Sequence, residues 1–99
     1  MARASRPAWK DLVAMTEKLL GRRWSEMTVR YGDWGRNGLM AVATRHLGWR
    51  LVDVVREVPG LSYGAAAQGI RRFWMEHPLD PTKGAFEKTF LARMSKIQI

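Results

Sequence analysis

The sequence predicts an all-α protein of five to six helices in one compact domain. Three observations carry that reading. Apolar residues recur three and four positions apart through most of the chain, with no convincing strand and no internal repeat. Gly, Pro and Ser/Asp punctuate those stretches where helices should start or stop. The chain has 99 residues, 46% of them hydrophobic and including five Trp and six Met, which supplies one core but not two.

The first helix is expected over about residues 7–20. Ser5 or Arg6 lies near its cap, and Pro7 takes the first helical position, where a missing N–H costs nothing. Trp9, Leu12, Val13, Thr16, Leu19 and Leu20 fall on one face, and Gly21 stops the helix. A short turn of helix follows, with Ser25 as its cap, containing Met27 and Tyr31. Residues 22–36 hold Arg22, Arg23, Arg30 and Arg36 against Glu26 and Asp33 alone. Such a basic segment is either a solvated face or a set of phosphate contacts.

Asp33 is the expected N-cap of a third helix over about 34–47, in which Leu39, Val42, Ala43, His46 and Leu47 form the apolar stripe. His46 reads as a core-edge or C-terminal-turn histidine beside the helix dipole. Gly48 ends the helix.

The stretch Leu51–Trp74 then reads as two helices joined at Pro59-Gly60, a helix-turn-helix pattern over about 51–77. Leu51, Val54, Val55 and Val58 form the buried stripe of its first helix, with Asp53, Arg56 and Glu57 outside. Gly60 can take positive φ, and Ser62 caps the second helix, expected over about 62–77. In that helix Tyr63, Ala66, Ala67, Ile70, Phe73 and Trp74 face the core, while Ala65, Gln68, Gly69 and Arg72 lie opposite, flanked by Gly64, Arg71 and Met75. A face of small residues with Gln and Arg is poor for packing on protein but allows close approach to a major groove.

His77-Pro78 ends this helix, and Asp80-Pro81 starts the last one as a cap and first-turn proline. Phe86, Phe90, Met94 and Ile97 make its stripe, with Lys83, Lys88, Arg93 and Lys96 outside.

Seventeen Lys or Arg against nine Asp or Glu give a net charge of +8, which favours a polyanionic partner. With no cysteine, disulfides and thiolate zinc sites are excluded. The sequence has no apolar run of the roughly 20 residues that span a bilayer and no hydrophobic h-region in Met1–Ala8, so a soluble, cytoplasmic, nucleoid-associated protein without membrane contact is expected. His46 and His77 stand far apart, with no acid at a metal-ligand spacing. A Walker A loop and a GxSxG elbow are both missing. Neither enzyme activity, a cofactor, a metal nor a small-molecule substrate is expected.

Two stretches carry a family resemblance: Tyr31-Gly32-Asp33-Trp34-Gly35-Arg36, and Ser62-Tyr63-Gly64-Ala65 through Arg71-Arg72-Phe73. In layout, from about Trp9 to Ile97, the chain resembles domain IV of the bacterial replication initiator DnaA, a Trp-repressor-like helix-turn-helix domain. It is more similar still to the DnaA-like C-terminal domain of REP-associated tyrosine transposases, whose catalytic half has no counterpart here. The initiator's base-contacting signature falls on Leu61, Ser62, Tyr63, Gly64 and Ala65, and its basic loop on Arg30–Arg36. Of the matching stretch Pro59–Ala66 only Gly60 is retained, so base reading shifts to Gln68 and Arg72 or weakens.

The resemblance and the charge together imply a monomeric double-stranded DNA-binding module. Ser62, Tyr63, Gly64, Ala65, Gln68 and Arg72 would read bases. Arg22, Arg23, Arg30, Arg36, Arg50 and Arg71 would hold phosphates or the minor groove. The competing expectation is a helical protein-interaction adaptor presenting Trp24 and Trp49 as an exposed patch. RNA binding or peripheral membrane contact is a third, less supported by these motifs.

Overall fold

The computed structural model describes the backbone of residues 6–97 and the side chains of residues 6–95. Six α-helices and one 3-10 turn account for the elements: α1 (Trp9–Leu20), α2 (Trp24–Val29), α3 (Gly35–His46), α4 (Leu51–Glu57), α5 (Tyr63–Glu76), the turn His77–Leu79, and α6 (Pro81–Ile97). There is no strand among the described residues. The all-α, five-to-six-helix expectation therefore holds.

Helix α3 is the central element. It packs against α1, α2, α4, α5 and α6, and most of its length is buried, including Leu39 through Ala43 without interruption. The expected single stripe on this helix is thus a correction. Its small residues, Gly35, Gly38, Ala41 and Ala43, let five helices approach, so the 38–43 segment is buried all round, while Arg36, Asn37 and Thr44 stay partly exposed.

Trp9, Leu12 and Thr16 of α1 are buried as expected, with the Thr16 hydroxyl donating to the Leu12 carbonyl at 2.8 Å. Gly21, at φ 68°, closes the helix in the left-handed conformation that glycine adopts without steric cost. The start differs from expectation: Ala8 is the N-cap and Pro7 lies outside the helix. Tertiary contacts hold residues 6–8 extended. The Trp49 indole N–H donates to the Pro7 carbonyl at 2.9 Å, while the Arg6 guanidinium lies 3.7 Å over the Trp49 ring and pairs with Asp53 at 2.8 Å. Ser5, the alternative cap, lies outside the described residues.

Ser25 does not cap α2, which begins one residue earlier. The Glu17 carboxylate of α1 accepts the Trp24 backbone N–H at 2.7 Å and serves instead. Met27 is buried, but Tyr31 lies beyond the helix and is fully exposed. Asp33 does cap α3: its carboxylate accepts the Gly35 N–H at 2.8 Å, with Trp34 at the junction.

Val54 and Val58 of α4 are buried, with Leu51 and Val55 partly so. Asp53, expected on the outer face, is drawn into a cluster with Arg6, Arg50 and Arg56. In α6, Phe86, Phe90 and Met94 form the buried stripe, and the Ile97 and Lys96 side chains lie outside the described residues. Asp80 caps this helix by accepting the Thr82 N–H at 2.9 Å.

Lys83 is a correction: the residue is only 5% exposed. Its ammonium lies 5.1 Å from the centroid of the Trp34 ring. The same ammonium reaches Asp80 at 2.7 Å and Glu76 at 3.4 Å. Glu87, further along α6, accepts from His46 Nε2 and His77 Nε2, each at 2.7 Å, and stitches α3, the turn and α6 together. His46 is therefore a last-turn histidine held by an acid 41 positions away.

The sharpest packing constraint lies between α3 and α5. A Cβ at Gly38 would stand 3.0 Å from the Trp34 ring and 3.2 Å from Phe73, tighter than ordinary van der Waals contact. Gly38→Ala is expected to destabilise the protein by about 1–3 kcal/mol, as overpacking does in a filled core. Urea unfolding followed by Trp fluorescence measures it.

Candidate nucleic-acid interface

The outer face of α5 is built by local rules. Gly60 turns the chain at φ 81°, and the Ser62 hydroxyl accepts the Ala65 N–H at 3.1 Å, so the helix starts at a fixed place and angle. From there the 3.6-residue period divides the residues. Ala66 and Phe73 are buried, with Ala67, Ile70 and Trp74 at the edges. Gly64, Ala65, Gln68, Arg71, Arg72 and Met75 are exposed.

Two residues change sides. Tyr63, expected in the core, is 59% exposed, because the first turn of α5 overhangs the end of α4. It joins Ser62 at the exposed start of the helix. Gly69, expected on the outer face, instead abuts α3, where a Cβ would collide with the Asn37 side chain.

The arginines separate into two groups. Arg22 is engaged internally: its Nε and Nη2 each donate to Asp33 at 2.8 Å, a two-point pairing that pins the end of the 30–34 loop to the α1–α2 connection. Its expected phosphate role is a correction, since a bidentate carboxylate already holds the guanidinium. Arg23 is exposed but shares its hollow with Glu17 and Glu26. Arg50 is exposed at the start of α4, 3.5 Å from Asp53.

Arg30, Arg36 and Arg72 are brought together. They line a cavity of about 390 Å³ between the end of α2 and the 30–34 loop, the first turn of α3 and the second half of α5. Asn37, Trp34 and Phe73 contribute to its walls. None of the three arginines makes an ion pair among the described residues, and Arg36 Nε is buried without a hydrogen-bond partner. Arg71 is exposed beside Arg72 on α5.

Sequence reasoning missed Asn37, which α3 turns toward this cavity, and the exposed pair Val29 and Tyr31 on its rim. The Tyr-Gly-Asp-Trp-Gly-Arg stretch was the only signal near them. It also missed the two histidines converging on Glu87, because no local spacing announces residues that meet across three elements. Among the described residues, no group of three or more His, Asp or Glu is placed to hold a metal ion. No helix there is long and apolar enough to cross a membrane.

The acids of this region are held ionised. Burial raises the Asp33 pKa, but the Arg22 hydrogen bond, the Gly35 N–H and the charges of Arg22 and Arg30 together outweigh it, leaving a net lowering. The Arg6 hydrogen bond lowers Asp53, and the Lys83 hydrogen bond lowers Asp80. With folded-state values below the unfolded value near 3.9, all three stabilise the fold above about pH 4. That contribution is lost as pH falls through the folded values.

Acid titration of unfolding should therefore show a stability loss below about pH 4 that is shallower in Asp33→Asn. At neutral pH, Asp33→Ala should cost about 1.5–3 kcal/mol, the scale of hydrogen bonds to a charged group, because the Asp33 side chain is only 2% exposed. Urea unfolding curves across pH check both. No protein-family model matches the chain, and neither a curated protein nor a solved structure does.

Proposed function

We propose that the chain is a double-stranded DNA-binding module in which α4 and α5 act as a helix-turn-helix. Helix α5 lies in the major groove, and Arg23, Arg30, Arg36, Arg50 and Arg71 hold phosphates or reach the adjacent minor groove. The observation that carries this reading is the outer face of α5. Gly64, Ala65, Gln68, Arg71 and Arg72 are exposed together on a helix whose other side is anchored on α3. Such a face has little apolar area for a protein partner and a low profile for a groove about 12 Å wide.

Charge supports the same partner. The net charge is +8, and Asp33, Asp53, Asp80 and Glu87 are each committed to a nearby Arg, Lys or His. The exposed arginines of α5 and the loop therefore act with little internal neutralisation. In this role Gln68 reads adenine and Arg72 reads guanine, while Ser62, Tyr63, Gly64 and Ala65 lie against the bases or backbone at the start of the helix.

The resemblance to DnaA domain IV and to the C-terminal domain of REP-associated transposases fits this assignment. It makes the chain the DNA-binding part of a replication-initiator-like or transposase-related protein, acting as a monomer at the nucleoid. The adaptor reading required Trp24 and Trp49 in one exposed apolar patch. Trp49 is 6% exposed, and both tryptophans pack edge-on against Trp9, so that reading has less support.

A salt titration of duplex binding tests the proposal. Log affinity should fall linearly with log salt at roughly 0.9 per phosphate neutralised, and Arg30→Ala should reduce the slope by about 1. On a site selected from random duplexes, Gln68→Ala should cost about 1–3 kcal/mol and relax preference at one base pair. Binding that ignores salt, or no duplex binding at all, would sink the DNA reading.

A further inference from the structure

The cavity between the end of α2 and the 30–34 loop, α3 and α5 has features that a groove-reading helix does not need. At about 390 Å³ it falls within the range of roughly 300–1,000 Å³ typical of pockets that enclose small ligands. Its unpaired cations are guanidiniums from three different segments, Arg30 from the loop, Arg36 from the first turn of α3 and Arg72 from α5, while Lys83, which also lines it, is paired with Asp80 and Glu76. Its two acids are otherwise engaged. Asp33 is clamped by Arg22 and the Gly35 N–H, and Glu76 lies 3.4 Å from Lys83. The wall at Trp34 and Phe73 is aromatic, and the two rings lie 5.8 Å apart.

Arg36 supplies the decisive detail. Its Nε is buried with no partner, a condition that costs free energy unless an acceptor arrives. Arg36 also lines the cavity that Arg30 and Arg72 line, and three guanidiniums without ion pairs around one space favour an anion with several oxygens. Phosphoryl oxygens suit this best, since the guanidinium fork matches their geometry in two-point contacts.

We propose that this cavity is a phosphoryl-binding site, with Arg36 as its buried donor and Arg30 and Arg72 closing on the same group. The site does not depend on α5 entering a groove. The phosphoryl group can come from a DNA backbone phosphate or from a free phosphorylated ligand such as a nucleoside monophosphate. The aromatic wall and the volume leave space for a sugar or base beside it.

Inorganic phosphate and dTMP, titrated into the full chain and followed by backbone amide NMR, test the assignment. Resonances of residues 30–37 and 72–76 should shift together with one dissociation constant for each ligand. Arg36→Gln and Arg72→Gln should each weaken dTMP binding about tenfold or more, whereas Lys10→Gln and Arg93→Gln, at exposed cations outside the cavity, should leave it within about twofold. Arg72 is exposed, so its variant keeps the test valid if Arg36→Gln unfolds. Equal losses in all four variants, or shifts scattered over the whole surface, would overturn the proposal.

Competition separates the two sources. If duplex DNA displaces dTMP, the phosphoryl group belongs to the backbone; if both bind at once, it belongs to a free ligand. Either result supports the site. Retained dTMP binding in a chain that fails to bind duplex would remove the major-groove reading and leave the phosphoryl site standing.

Discussion

Helix α5 lies against α3 so closely that neither Gly69 nor Gly38 has room for a methyl group, and much of the protein depends on that approach. Two helices this near one another share a single layer of side chains, in which Phe73 meets Trp34 and Asn37 fills the space over Gly69. The consequence is orientation: with one side of α5 fixed on α3, the 3.6-residue period leaves Gly64, Ala65, Gln68 and Arg72 outward. The same closeness brings Arg72 beside Arg36, since Asn37 and Gly69 are in contact and Arg36 and Arg72 flank them. The outer face and the arginine cavity are two products of one packing decision.

Electrostatics completes what packing begins. The chain has few acids, and those resolved here are mostly spent on holding segments in place. Asp33 ties the loop to the α1–α2 connection through Arg22, Asp53 gathers the extended N-terminal segment onto α4, and Glu87 joins the two histidines. The Asp53 and Glu87 pairs are partly exposed, so their contribution to stability is modest and their main effect is positional, whereas the Asp33 carboxylate is only 2% exposed and its loss costs more. Using the carboxylates internally leaves arginines on α5 and on the loop without partners, which concentrates the net charge on the side that carries the small-residue face.

The two proposals for a phosphate-rich partner rest on different features and can fail separately. One rests on the shape and composition of an exposed helix face, and asks for a groove. The other rests on a buried donor without an acceptor, and asks only for a phosphoryl group. Because Arg72 belongs to both, a duplex held in the groove would carry backbone phosphates past the mouth of the cavity.

Much of this was legible in the sequence because it follows from local chemistry. The helical period, the glycine stop at Gly21, the turn at Gly60 and the caps at Ser62, Asp33 and Asp80 depend on residues a few positions apart, and all stand in the structure. Amphipathic stripes were legible where a helix has one buried side, as in α1, α4 and α6. They failed for α3, whose 38–43 segment is enclosed by five helices, and for Gly69, whose outward position by simple period ignored how near α3 comes. The start of α1, the burial of Lys83, the loss of Arg22 to Asp33 and the meeting of His46, Glu87 and His77 all arise from contacts between distant segments. Helical spacing and its punctuation determined the fold class, and composition the sign of the charge; only tertiary packing decided which arginines are free, because pairing and burial are set by neighbours in space.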